Sequence, residues 1–324
     1  MSENFWDYRD PRRYLEKAAR TDWPPLIVTV AITGGVHGKE VSPYLPESPE
    51  EQAESTYECY QAGASIVHVH ARDLAIGYAD TSGSSEDFKR VNAMIRDKCP
   101  DIIINNTTGG NYGMPLEARV KILDALPEMA TINCGPNPIR MTLKKRSPPL
   151  SGRPLDVQVE GLDLVTPSVW RENELFARMM LERKIKPEIE LYNSGQFWLI
   201  DNLVTQDLLE APYFIQFVMG VQAGTYPTPK NLLWLSELTP QPSLINVAGV
   251  GPNQLPLNAM AILLGFHART GLEDNIYYKR GELARSNVQL VERVVRIAKE
   301  LNREIATPTQ ARQMLGISAH PRKW

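Results

Sequence analysis

A chain of 324 residues that is 43% hydrophobic and 23% charged has the balance of a globular protein with room for a sizeable core. Its net charge of −3 leaves no electrostatic footprint for nucleic acid, no apolar run reaches the length of a membrane-spanning helix, and the start MSENFWDYRDPRRYLEKAAR is too polar for a secretory signal. Cys59, Cys99 and Cys134 are too widely spaced for a disulfide framework or a cysteine-type zinc finger and fit a reducing compartment, so a cytoplasmic location is expected.

Residues 1–25 read as an N-terminal extension, with Asp10 capping a helix that has Pro11 at its first position and runs to Arg20. Strand-like and helix-like segments then alternate. LIVTVAIT is followed by the helix SPEEQAESTYECYQAG, with Ser48 as N-cap and Pro49 in its first turn. SIVHVHA leads to EDFKRVNAMIRDKC, IIINNTT to LEARVKILDAL, and MATIN to ENELFARMMLERK. After PEIELYN come YFIQFVMG with TPKNLLWLSEL, SLINVAGV with LPLNAMAILLG, and FHARTG with SNVQLVERVVRIAKELN. A last helix, TPTQARQML, is capped by Thr307.

Eight strands joined by helices imply parallel pairing with right-handed crossovers, the pattern of a (β/α)8 TIM barrel. A single catalytic domain over residues 26–317 and a tail over 318–324 are expected, with the extension and the tail as candidate subunit contacts. One region breaks the rhythm. Residues 135–168 join the fourth strand to its helix and are far longer than an ordinary βα loop. Barrel enzymes carry their active sites on that face, so Arg140, Lys144, Lys145, Arg146 and Arg153 would either meet a phosphate-bearing ligand or decorate a solvated, irregular loop.

Side chains alternate along a strand, so faces can be read from the sequence. In SIVHVHA the apolar Val67, Val69 and Ala71 share the face that packs on helices, which turns His68 and His70 inward. The same reading sends Glu188, Glu190 and Tyr192 inward, along with Thr29, Ala31, Thr33, Asn105, Thr107, Thr131, Asn133, His267 and Arg269. Glu273 is in phase beyond the last strand. Burying so many polar groups costs stability, so catalysis is the better explanation of a polar interior.

Two imidazoles at i and i+2 of a strand point the same way and can converge on one ion. Glu188, Glu190 and Glu273, with Asp73 and Asp274 in adjoining loops, are the acids available as a third ligand. Two histidines and a carboxylate leave a zinc coordination position open for substrate, although Mn, Fe or Co would also accept these donors.

The motifs TVAITGG, SPYLPESPEEQ, AGASIVHVHARD, NNTTGG, PEMATIN, PEIELYNSG, FVMGV, VAGVG with QLP, HARTGLEDN and SNVQLVERVVRIAKELNREIATPTQAR resemble those of the β-keto acid cleavage enzymes. The resemblance implies a zinc ion on His68, His70 and Glu273. It implies Asp274 as the base, oriented by Arg269 with Glu190 close by, and Thr107, Gly110 and Thr131 holding the substrate's carboxylate end. It further implies a small-molecule 3-keto acid and acetyl-CoA as co-substrates, acetoacetate and a new acyl-CoA as products, and a homo-oligomer, a tetramer by resemblance.

Two departures bear on the substrate. Members that act on an amine-bearing keto acid hold the amine with an acid in the first loop, where this chain has Val36 followed by His37. A neutral, apolar or anionic tail is therefore expected, with Val36, His37 and Lys39 near it. Many members also carry Arg where this chain has Pro252. Competing readings are a metal-dependent aldolase or lyase that needs no CoA, a barrel hydrolase, which five histidines supply poorly, and a non-catalytic metabolite-binding barrel.

Overall fold

In a computed structural model of the chain, the described residues are 10–20, 23–35, 37–76, 80–110, 114–143, 159–166 and 168–324. Eight parallel strands close into a barrel: β1 (Val28–Ala31), β2 (Ile66–Val69), β3 (Ile103–Asn106), β4 (Met129–Asn133), β5 (Lys186–Leu191), β6 (Tyr213–Met219), β7 (Ser243–Gly249) and β8 (His267–Thr270). Seven lie within a segment anticipated above, and β5 begins one residue before its own, at Lys186. The ring is sealed where Thr29 of β1 stands beside Arg269 of β8 and Ala31 stands beside His68 of β2.

Helices between the strands form the outer layer: α1 (Pro11–Arg20), α2 (Pro49–Gln61), α3 (Ser85–Lys98), α4 (Leu116–Lys121), α5 (Trp170–Glu182), α6 (Phe197–Thr205), α7 (Pro229–Glu237), α8 (Gln254–Leu263), α9 (Asn287–Glu300) and α10 (Pro308–Leu315). Local chemistry sets their starts. Ser48 accepts from the Glu51 backbone N–H while the Glu51 carboxylate accepts from the Ser48 N–H, and Thr307 and Gln310 form the same reciprocal cap on α10. Asp10 Oδ1 accepts from the Arg12 N–H at 3.0 Å before α1.

Strand parity sorts the core into two environments. Val28, Val30, Ile32, Val67, Val69 and Ala71 face outward and are buried against helix residues such as Phe88, Val91 and Ile95. The inward residues at the N-terminal mouth are apolar instead: Ile27, Ile66, Ile103, Met129, Phe214 and Leu244 form a floor that Ala311, Met314 and Leu315 of α10 cover from below. Each large side chain buried there contributes roughly 1.5–3 kcal/mol. The dry floor leaves the opposite, C-terminal mouth for polar groups.

Two described stretches of the region 135–168 are regular. Asn137–Leu143 and Val159–Thr166 pair as an antiparallel hairpin, with Asn137 opposite Thr166 and Arg140 opposite Asp163. The turn signal was invisible because the hairpin's two arms are separated by a long intervening stretch. Arg140 is exposed, and its backbone N–H donates to Gln222 Oε1 at 2.7 Å. Lys144, Lys145, Arg146 and Arg153 lie outside the described residues.

The tail folds back on its own chain. The Arg322 N–H donates to Glu128 Oε1 at 3.0 Å, and its guanidinium donates to the carbonyls of Leu126, Arg183 and Lys184 at 3.0, 2.8 and 2.6 Å. Trp324 donates its indole N–H to the Ala125 carbonyl. Among the described residues no helix is long and apolar enough to cross a membrane.

Candidate metal centre and active site

His68 of β2 and His70, one residue past its end, do point into the barrel. Their rings lie 5.1 Å apart at 67°, and the Nε2 atoms of His68 and His70 stand 3.6 and 3.4 Å from Glu273 Oε1. One ligand atom from each of these three residues lies within 4.8 Å of the others. Glu273 reaches the pair because the chain turns just after β8, which is separated from β2 in the ring only by β1.

Several features fit these donors to a divalent cation. Among the described residues Glu273 Oε2 is buried with no hydrogen-bond partner, as are His68 Nδ1 and Glu188 Oε1. An orphaned buried polar atom costs about 1–3 kcal/mol, so the pocket is costly without a ligand. His70 Nδ1 has a support at its far side, Thr81 Oγ1 at 2.9 Å, and Glu188 Oε2 lies 3.9 Å from His68 Nδ1. Carboxylate or hydroxyl partners behind a ligating imidazole fix its orientation.

Charge balance points the same way. Glu188, Glu190, Glu273 and Asp274 surround the single guanidinium of Arg269. Burial, only partly offset by Arg269, pushes Glu188 up to about 7 and Glu190 up to about 8. Burial also raises Asp274 against the pull of Arg269. Burial would raise Glu273 too, but Arg269 and the two histidines outweigh it and hold that carboxyl well below its ordinary value. Burial keeps His68 well below the usual histidine range, so its imidazole is neutral and free to donate an electron pair.

Arg269, 3% exposed, organises the acids. Its Nε and Nη2 donate to the two oxygens of Asp274 at 2.9 Å each, Nη2 also donates to Glu273 Oε1 at 2.6 Å, and Nη1 donates to Glu190 Oε1 at 3.3 Å. Asp274 and Glu190 are thereby fixed on either side of the metal-ligand candidate.

The remaining anticipated residues divide. Thr107 and Gly110 follow the C-terminal end of β3 and Thr131 lies in the middle of β4; Thr107 Oγ1 accepts from the Gly109 N–H at 3.1 Å and Thr131 Oγ1 from the Thr108 N–H at 2.9 Å. Among the described residues neither hydroxyl donates its hydrogen, which leaves it for a ligand. Val36 lies outside the described residues; His37 is half-buried, and its carbonyl accepts from Arg72 Nη2, which also holds the Thr33 carbonyl at 3.1 Å. Asp73 turns away into a local bend, accepting from the Ala75 N–H at 2.8 Å. His267 Nδ1 accepts from the Ile27 N–H at 3.1 Å and is a structural residue of the floor.

Other contributors were not anticipated. Gln216 of β6 donates to Glu190 Oε1 at 3.0 Å and accepts from Asn246 of β7 at 2.8 Å. A lone amide inside the apolar runs YFIQFVMG and SLINVAGV was the available signal. Glycines 34 and 35 are the other omission. Gly34 has φ +66°, and a Cβ there would lie 2.8 Å from Glu273 Cγ; one at Gly35 would strike Thr81 Oγ1 and stand 3.2 Å from His70 Nδ1. The pair of glycines in TVAITGG makes room for the candidate ligands.

Known proteins are similar to this chain over most of its length. The family model described as beta-keto acid cleavage enzyme matches residues 25–317. A 3-keto-5-aminohexanoate cleavage enzyme of Fusobacterium nucleatum is 38% identical over 90% of this chain and 98% of its own. A 3-oxoadipate:acetyl-CoA acetyltransferase of Cupriavidus necator is 33% identical over 90% and 95%. A 3,5-dioxohexanoate:acetyl-CoA acetone transferase of Paraburkholderia graminis is 29% identical over 90% and 96%. Among solved structures, the apo structure of ObcA superposes with a TM-score of 0.63 at 21% identity, covering 85% of this chain and 66% of that one, a likeness of fold.

Proposed function

The chain belongs to the beta-keto acid cleavage enzyme family, and on that premise we propose that it condenses a 3-keto acid with acetyl-CoA, giving acetoacetate and a new acyl-CoA. The observation that carries this reading is the placement of His68, His70 and Glu273 around one point beside the Arg269–Asp274 pair. A zinc ion held by those three donors would polarise the substrate's 3-keto oxygen as a Lewis acid.

The rest falls to the chain's own groups. Thr107, Thr131 and the Gly110 turn bind the carboxylate end of the keto acid. An Asp274 oxygen removes a proton from C2, while the Arg269 fork keeps that carboxylate aimed. Glu190, held by Gln216 and Arg269, fixes the guanidinium's other edge. The C2 carbanion equivalent forms a bond to the acetyl carbonyl carbon of acetyl-CoA, and the CoA thiolate leaves. That thiolate adds to the original keto carbon, the C2–C3 bond breaks, and the acetoacetate carbanion regains the proton from Asp274. Atoms and charge balance without an external oxidant or reductant.

The substrate's tail is read from the first loop. The relatives named above act on keto acids with different tails, so the tail pocket is where members diverge. Val36 offers no negative charge to an amine, and His37 beside it suits a neutral or anionic tail. We place the enzyme in the cytoplasm, as a homo-oligomer.

A panel of 3-keto acids with amine, carboxylate and alkyl tails, assayed with acetyl-CoA for acetoacetate, tests the reading. Turnover strictly dependent on acetyl-CoA, best with a tail lacking an amine, is expected. Cleavage without acetyl-CoA would instead mark a lyase, and no cleavage across the panel would overturn the proposal.

A further inference from the structure

We propose that a cavity on the N-terminal face of the barrel, at the end opposite the candidate active site, is a second binding site that takes a small oxyanion bearing a carboxylate or phosphate group. The cavity has a volume of about 640 Å³ and is bordered by the start of β5, the end of α10 and the folded-back tail. Lys186 opens β5 and Glu190 lies four residues on, so the two sites are separated by about 13 Å of strand.

The lining is unlike the rest of the molecule in charge. Lys184, Lys186, Arg312 and Arg322 face it against Glu128 and Glu210, an excess of two positive charges in a chain whose net charge is −3. The Glu128 carboxylate is already engaged, accepting from Arg96 Nη2 at 2.9 Å and Arg312 Nη2 at 2.6 Å. Among the described residues the Arg322 guanidinium meets three carbonyls and no carboxylate.

Lys186 is buried as well, 7% exposed. Among the described residues its ammonium has one hydrogen-bond partner, the Glu210 carbonyl at 2.8 Å, although an ammonium carries three donors. Burial, countered only in part by Glu210, brings its pKa down to about 8. A buried ammonium with unused donors beside an open cavity is a poor choice for stability alone, since an apolar residue of similar volume would be cheaper. An oxyanion would take the unused donors and neutralise the excess charge.

Calorimetric titration of inorganic phosphate and, separately, malonate into the full-length protein tests the site and tells a phosphate ligand from a carboxylate one. Saturable 1:1 binding of at least one of the two is expected for the wild type. Lys186→Met should weaken it by about tenfold or more, while Lys186→Arg and Asp274→Asn should leave it intact. Lys184→Glu, an exposed substitution at the rim that poses no folding problem, should weaken it several-fold. Wild-type affinity in both Lys186→Met and Lys184→Glu, loss of binding in Asp274→Asn, or no saturable binding of either anion would overturn the proposal.

Discussion

The Arg269 guanidinium grips the Asp274 carboxylate with two hydrogen bonds of 2.9 Å, in a site where both side chains are buried. This fork holds the carboxylate in one orientation while its partner residue, Glu273, faces the histidines. A base that must approach one carbon from one direction gains from such fixation.

Arg269→Lys keeps a positive charge and loses the fork. Turnover should fall by about 10²-fold with the protein still folded, because a point charge aims a carboxylate poorly. Arg269→Ala should instead cost about 3–5 kcal/mol of stability, read from a urea midpoint, by leaving buried acids unpaired.

Asp274→Asn should lower the rate by about 10²–10⁴-fold while metal content, measured by elemental analysis, stays at the wild-type level. Glu273→Gln and His68→Ala should do the reverse first, losing metal and then activity. A Asp274→Asn enzyme with most of its rate would remove the assigned base.

Metal removal should be visible in stability as well as in rate. A cation bound to the folded state alone at a hundred times its dissociation constant adds about 2.7 kcal/mol, so chelation should lower the unfolding temperature and zinc should restore it. In the metal-free protein Glu190, raised by burial from an ordinary 4.5 to about 8, binds its proton more tightly folded than unfolded. Its contribution is present below about 4.5 and is lost as pH rises towards about 8. Against Glu190→Gln, which does not titrate, the metal-free wild type should therefore lose ground steadily across that window.

Gly35→Ala should act at a distance from the ligands themselves. The added methyl displaces Thr81 from His70 Nδ1, and loss of such a support typically weakens metal binding by about 10–100-fold. Thr81→Val, which removes the hydroxyl without crowding the loop, should shift zinc affinity in the same direction. Unchanged affinity in both variants would show that His70 needs no support.

Arg322→Ala should lower stability by about 1–3 kcal/mol by releasing three carbonyls at the ends of neighbouring helices. The tail lies at the opposite mouth from the histidines, so kcat/KM at low temperature should not change.

The barrel and the metal-ligand candidate were legible because both depend on period-two alternation, which β2 and β5 display openly in VHVHA and EIELY. The histidines could be turned inward simply by asking which neighbours were apolar. β6 and β7 concealed Gln216 and Asn246, since a buried strand with one amide reads as an uninterrupted apolar run. Thr81 and Gly35 come from loops whose meeting is decided by tertiary placement alone. The hairpin at 137–143 and 159–166 joins arms too far apart in sequence for a turn signal to connect them. His267 shows the limit of parity itself. It faces inward, as read, yet its ring nitrogen is committed to the Ile27 backbone.

His68 comes from the second strand, His70 from just past its end and Glu273 from just past the eighth, and these meet across β1 where the ring is sealed. A half-barrel assembled from the early strands would own two donors and no third. During refolding, recovery of tight metal binding should therefore coincide with the slowest, most sequence-distant strand pairing. A metal-sensitive dye added to refolding protein would then serve as a clock for circle completion.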